Sequence, residues 1–175
     1  MSTPNTAERE SEALKAIAGK YLTFSIADEH FGLEILKVIE IIGVIQFTRV
    51  PRCPAHMKGV INLRGKIIPV VDLRMKFGLP EIPYDDKTCT IITKVRIGQD
   101  DIAIGMIVDT VLEVVNFEAA QIEEAPDFGV NLDSRFILGM GKVQDGRVTI
   151  LVDIGQVFNE AERGTIESIT QVAAE

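Results

Sequence analysis

At 175 residues, 46% hydrophobic and 25% charged, the chain is long enough for one large domain or two small ones and apolar enough for a packed core, so wholesale disorder is excluded. A net charge of −8 disfavours nucleic acid or an anionic membrane surface as the main partner. No apolar run approaches the roughly 18 residues of a membrane span, the polar, acidic start does not read as a signal peptide, and Cys53 and Cys89 fit free thiols, so a cytoplasmic location is expected.

Residues 1–19 read as a flexible leader, at most a marginal helix, because short isolated helices are unstable in water. Alternation over 21–26 predicts a strand, Asp28-Glu29-His30 a turn, and 31–36 the return strand. Residues 37–45 are apolar-rich and alternate imperfectly, as a strand or a short helix. After a loop marked by Pro51 and Pro54, two β-branched runs, 60–63 and 67–71, flank Arg64-Gly65 and predict a hairpin. A type II turn there would take its positive φ from Gly65 and put Arg64 at the tip. Pro69 cannot donate to a ladder, which predicts an edge strand or a bulge. Residues 73–77 read as one helical turn, ended by Gly78 and Pro80, and 81–87 as a polar loop. Residues 89–97, 102–108 and 111–115 read as strands, with a turn at 98–101 and an irregular acidic stretch over 117–128. Residues 136–143 and 147–152 predict a second hairpin over a two-residue Asp145-Gly146 break. From Ile154 the apolar spacing is helical, and 159–175 are expected as a C-terminal helix and tail.

The two halves repeat each other. Residues 31–42 align with 104–115 at an offset of 73, matching Gly32 with Gly105, Val38 with Val111 and Glu40 with Glu113. Residues 65–73 align with 146–154 at an offset of 81. Each half then carries about five strands, and short strands at this turn spacing favour small barrels. The expected fold is all-β: two similar barrels, one from about 21–78 and one from about 88–158, with strands free to interchange. The alignment also isolates what the halves do not share. Arg64-Gly65 stands where the sister hairpin has Asp145-Gly146, so the turn does not itself require an arginine. Arg64 is either a solvated turn residue or a contact for a partner.

Catalytic chemistry finds little support. Gly139-Met140-Gly141 precedes a strand with no helix after it, unlike a phosphate loop. His30 and His56 lack Cys or His at ligand spacing, so no metal site is expected, and both read as solvated loop residues. Cys89 reads as core and Cys53 as a loop residue. Asp72 and Asp153 sit at matching strand ends; a pair could do acid–base work, but a position shared by both repeats argues for capping the following turn. Glu40, amid Val38, Ile39, Ile41 and Ile42, is either an outward strand residue or a specificity contact. Charge is uneven: residues 58–96 carry eight cations and four acids, whereas between Arg96 and Arg135 there are nine acids and no cation. No cofactor is implied. A binding module is the better class, with aliphatics for affinity and a few charges for register.

With the duplication, the Lys58-Gly-Val-Ile-Asn-Leu-Arg-Gly-Lys-Ile-Ile-Pro-Val-Val-Asp-Leu73 hairpin and Ile35-Leu-Lys-Val-Ile-Glu-Ile41 in view, the chain resembles the CheW-type chemotaxis coupling proteins over about residues 20–158. The resemblance implies two interlocked five-stranded SH3-like β-barrels with short helices. It implies a non-catalytic adaptor that couples methyl-accepting chemoreceptors to the chemotaxis histidine kinase in membrane-associated arrays. The receptor-facing groove would lie between the barrels, with Val38, Glu40, Gly59, Arg64, Gly105 and Val114 at the matching positions. Ala125, Pro126 and Phe128 match an edge that meets the kinase regulatory domain or a second copy in rings; Glu123 departs from relatives with a cation there. Alternatives are a coupling protein of a non-flagellar pathway, in pilus motility or second-messenger control, or a small-ligand sensor.

Overall fold

The computed structural model describes residues 6–124, 136–143 and 145–174. Strands β1 (Gly19–Ile26), β2 (Glu29–Glu34), β8 (Thr110–Phe117), β9 (Ile122–Glu123), β10 (Ile137–Lys142) and β11 (Val148–Val152) form one sheet, in the order β8-β1-β2-β11-β10-β9. Strands β3 (Val38–Gly43), β4 (Met57–Leu63), β5 (Lys66–Asp72), β6 (Cys89–Ile97) and β7 (Asp100–Val108) form the other, in the order β3-β6-β7-β5-β4. Each sheet is rolled shut by the segment that follows its edge strand. β9 comes after β8 and bonds β10 at the far edge. Thr48 comes after β3 and bridges Val60 of β4 through two backbone hydrogen bonds of 2.8 Å.

The two orders are the same order. Substituting each strand by its repeat (β3 for β8, β6 for β1, β7 for β2, β5 for β11, β4 for β10) converts one sheet into the other. Even the irregularities agree: the register shift between Met57 and Gly59 is repeated between Ile137 and Gly139. The first hairpin of each half, however, lies in the barrel of the other half. β1 and β2 sit among β8, β10 and β11, and β6 and β7 sit among β3, β4 and β5.

Alternation then builds three cores. One face of the strands fills the space between barrels, with Leu22, Phe24, Ile91, Ile104, Met106 and Val152 among its buried members. The opposite face fills the barrels: Ile61, Ile68, Val70, Ile92 and Ile107 in the second, and Tyr21, Phe117, Ile122 and Leu151 in the first. Gly32 and Gly105 hold matching, tightly packed positions inside the two barrels. A Cβ on Gly32 would meet Leu151 at 2.9 Å, and one on Gly105 would meet Thr90 at 3.0 Å.

Helix α1 (Thr6–Ile17) occupies the expected leader; Leu14 and Ile17 pack on the first barrel, and the Tyr21 hydroxyl donates to Ile17 O at 2.6 Å. Burial, with help from Glu34 and Asp153, pushes that phenol up to about 12. Residues 35–37 form a single 3-10 turn before β3, which resolves the imperfect pattern there. The acidic stretch after β8 holds a 3-10 turn, Ala119–Gln121, capped reciprocally by Glu118 and Gln121, and then β9.

Asp72 caps α2 (Leu73–Lys76) by accepting from Met75 N, and Asp153 caps α3 (Ile154–Val157) by accepting from Gly155 N, so the repeated aspartates do share a capping role. The C-terminal helical pattern divides. α3 ends before Phe158, and Asn159 starts α4 (Glu160–Ala174) by accepting from Glu162 N at 2.8 Å. Among the described residues, no helix is long and apolar enough to cross a membrane.

Three local expectations need correction. Arg64 and Gly65 both have positive φ, 54° and 84°, so the turn has the pattern of type I′, not type II; its twist suits the flanking strands. Pro69 is neither on an edge strand nor at a bulge. Val60 directs its backbone N–H and C=O to Thr48, so Val60–Pro69 is a non-hydrogen-bonded pair, and the ladder to β7 begins only at Val70. Proline therefore stands where no N–H is needed. The second hairpin closes between Val143 and Arg147, a wider break than Asp145-Gly146 alone: Val143 N donates to Arg147 O at 3.0 Å, and Gly146 has φ 81°.

Candidate functional site at the hairpin tip

The tip of the β4–β5 hairpin carries Arg64 into solvent with its side chain 76% exposed. Asn62 braces the turn by accepting from Gly65 N at 3.0 Å. Barrel closure brings the β3 edge to the hairpin, and Arg64 meets Glu40 as a fork: Nη1 to Oε1 at 2.7 Å and Nη2 to Oε2 at 3.1 Å. Two candidates 24 residues apart are thus one bidentate pair, with the geometric specificity of an arginine–carboxylate contact. At this exposure it adds little stability.

The strand that carries Glu40 also carries exposed aliphatics. On β3 the burial alternates, so Ile39 and Ile41 face solvent while Val38, half-buried, packs on the inter-barrel core. Leu36, just before β3, is 89% exposed. By the repeat, Ile39 and Ile41 correspond to Leu112 and Val114 on β8, and these too are exposed. The β3 isoleucines and Leu112 are not among the residues the sequence singled out. Their signal is the alternation of 38–43 combined with the 73-residue offset.

The other candidates are placed differently. Gly59 is buried in β4 at φ 143°, where a Cβ would fall inside the carbonyl oxygen of Thr48. It permits barrel closure. Gly105 is buried inside the second barrel. Both glycines can influence a surface only through the backbone shape they allow. Ala125, Pro126 and Phe128 lie outside the described residues, and Glu123 on β9 pairs with Lys142.

Behind the tip, charges are used to join elements. Arg74 of α2 donates to Asp109 at 2.8 Å and to Pro80 O, while Asp109 accepts from Ala27 N. Buried Lys58 donates to Glu81, which holds that carboxyl below its ordinary value. The Tyr84 hydroxyl is pushed up by burial and by its bond to Asp72. His56 is not a solvated loop residue: its Nε2 lies 2.5 Å from buried Glu162, which also accepts from Lys76 Nζ at 2.6 Å and Asn159 N at 3.1 Å. Cys53 and Cys89 are both half-buried against the inter-barrel core. No group of metal-ligating side chains occurs among the described residues.

A family profile, the CheW-like domain, matches residues 20–162. The chain belongs to the CheW-like family. It is 36% identical over 157 residues to the chemotaxis protein CheW of Klebsiella aerogenes, covering 90% of this chain and 92% of that one. It is 33% identical to CheW of Bacillus subtilis, over 81% and 87% of the two chains. Among solved structures it resembles the scaffolding protein CheW of Thermoanaerobacter tengcongensis, with a TM-score of 0.71, 33% identity, and coverage of 82% and 94%. Within the CheW-like family, relatives so named place the chain among chemotaxis coupling scaffolds.

Proposed function

We propose that this chain is a non-catalytic adaptor that couples chemoreceptors to the chemotaxis histidine kinase, working at the cytoplasmic face of receptor arrays. The observation that carries the reading is the Arg64–Glu40 fork at the hairpin tip, flanked by exposed Ile39 and Ile41. An exposed, preorganised polar pair beside unpartnered aliphatics has the composition of a protein-binding surface rather than of a reaction centre. Val38, Glu40, Gly59, Arg64, Gly105 and Val114 are assigned to receptor binding, the buried glycines through backbone shape. The groove would take the hairpin tip of the receptor helices, with Arg64 holding an oxygen at that tip or bracing Glu40. Ala125, Pro126 and Phe128 are assigned to the kinase regulatory domain or to a second copy in rings. The names of the relatives favour chemotaxis over a pilus or second-messenger pathway and over ligand sensing.

The test is titration of the labelled protein with a chemoreceptor cytoplasmic fragment and, separately, a kinase regulatory fragment. Wild type is expected to bind both. Arg64→Glu is expected to lose the receptor fragment alone, and Phe128→Ser the kinase fragment alone. Wild-type protein that binds neither would overturn the coupling role. Receptor binding unchanged in Arg64→Glu would remove the hairpin tip from the site.

A further inference from the structure

The correspondence between the barrels extends to their mouths, where their chemistry diverges. In the second barrel Glu40 is held by Arg64, and the wall beneath is apolar and packed, from Ile42, Leu63, Ile68 and Ile92. The strand register makes Val115, Val143, Thr149 and Thr23 the matching residues of the first barrel, under Glu113 in place of Glu40. Two isoleucines are thus replaced by threonines, and the mouth is an open cavity lined by these residues with His30, Leu112, Asp145 and Arg147.

Its polar groups are unevenly used. Thr23 Oγ1 is occupied by the backbone of Glu113, donating to its carbonyl at 2.7 Å and accepting from its N–H at 3.1 Å. Thr149 is 1% exposed, and its hydroxyl has no partner among the described residues. The Arg147 guanidinium is turned to His30 Nε2 at 3.0 Å and to Asp145 at 3.9 Å. That leaves the Glu113 carboxylate without an ion-pair partner among the described residues. The sister hairpin offers no arginine at its tip.

We propose that the mouth of the first barrel is a docking pocket for an arginine or lysine side chain presented by a partner protein. Glu113 takes the charge as Glu40 takes Arg64, the Thr149 hydroxyl and Asp145 accept further N–H groups, and Leu112 with Val143 cover the aliphatic stem. The occupant follows from complementarity. Arg147 is taken up by His30 and Asp145, so the charge left unpaired in the cavity is Glu113: an anion would face that carboxylate, and an apolar group would bury it unpaired. The proposal goes beyond the coupling role and does not depend on it.

The experiment is an NMR titration of the full chain with N-acetylarginine methylamide and, in parallel, with its neutral isostere N-acetylcitrulline methylamide. The arginine compound is expected to give saturable shifts at Leu112, Val115 and Val143, and the citrulline compound none. Glu113→Gln, an exposed change, is expected to weaken the response about tenfold. Arg64→Ala empties the twin site and is expected to add a second set of shifts at Ile39 and Glu40. The pocket is overturned if the first-barrel signals stay still, if citrulline moves them equally, or if Glu113→Gln titrates like wild type.

Discussion

Arg64 and Glu40 illustrate how much a single residue carries and how little of it is stability. Arg64 pays for a positive φ, yet its fork with Glu40 is largely in water and worth about 0.2–1 kcal/mol, less in salt. A double-mutant cycle of Arg64→Ala and Glu40→Ala, read by urea denaturation, is expected to give a coupling below about 1 kcal/mol that shrinks at high salt. A coupling above about 2 kcal/mol would make the pair a structural clamp. The glycines behave oppositely. Gly59→Ala must push the Thr48 backbone away and reopen the barrel, with an expected cost of about 3 kcal/mol or more. Gly65→Ala meets open space and pays only for φ 84°, about 1 kcal/mol. Equal losses for the two would show that closure at Thr48 tolerates a side chain. The sequence made Arg64 and Glu40 visible as candidates because the sister repeat lacks one and shares the other. It could not reveal that they touch, since their contact depends on the two edges of a rolled sheet meeting.

Elements were most legible where local periodicity decides them, as in β1, β6 and the two hairpins, and least where a distant partner does. Helix α1 is marginal as a peptide and is fixed by Leu14, Ile17 and the Tyr21 hydroxyl. Helix α4 depends on Glu162, whose part in the His56–Lys76 cluster is 106 and 86 residues away in sequence. Burial alone would raise this carboxyl; Lys76, the Asn159 N–H and His56 outweigh it and hold the value below the ordinary 4.5. A depressed carboxyl contributes stability that is complete above its unfolded value and is lost as pH falls through the folded one. Glu162→Gln is therefore expected to cost about 2–4 kcal/mol at neutral pH, and the gap to wild type should narrow below about pH 4.5. Denaturation curves recorded above and below the ordinary carboxylate range read this out. A gap independent of pH would mean that packing of α4, not the carboxylate, is what the substitution damages.

For the whole molecule, the duplication was legible because Gly32 and Gly105 answer the same need, a narrow barrel interior with no room for a Cβ. The repeat alone left the exchange of hairpins open, because each half shows the same offset whether its first hairpin stays or crosses over; the interlocking was implied by the family resemblance. The exchange has a strong consequence for folding. Neither half can close a barrel: residues 1–82 hold β1 and β2 without β8, β10 and β11, and residues 83–175 hold β6 and β7 without β3, β4 and β5. The inter-barrel core likewise joins Leu22 and Phe24 from one half to Ile91 and Met106 from the other. Each fragment alone would leave strand edges and one face of its sheet open to water. Expressed separately, both fragments are expected to be unfolded, with collapsed amide dispersion. Mixed, they should restore the native spectrum, because the cut falls in the exposed loop after Ile82 and severs no strand. A dispersed, cooperative spectrum from either fragment alone would mean that a half can refold on its own hairpin, and that the exchange is one of two accessible pairings rather than a requirement of the fold.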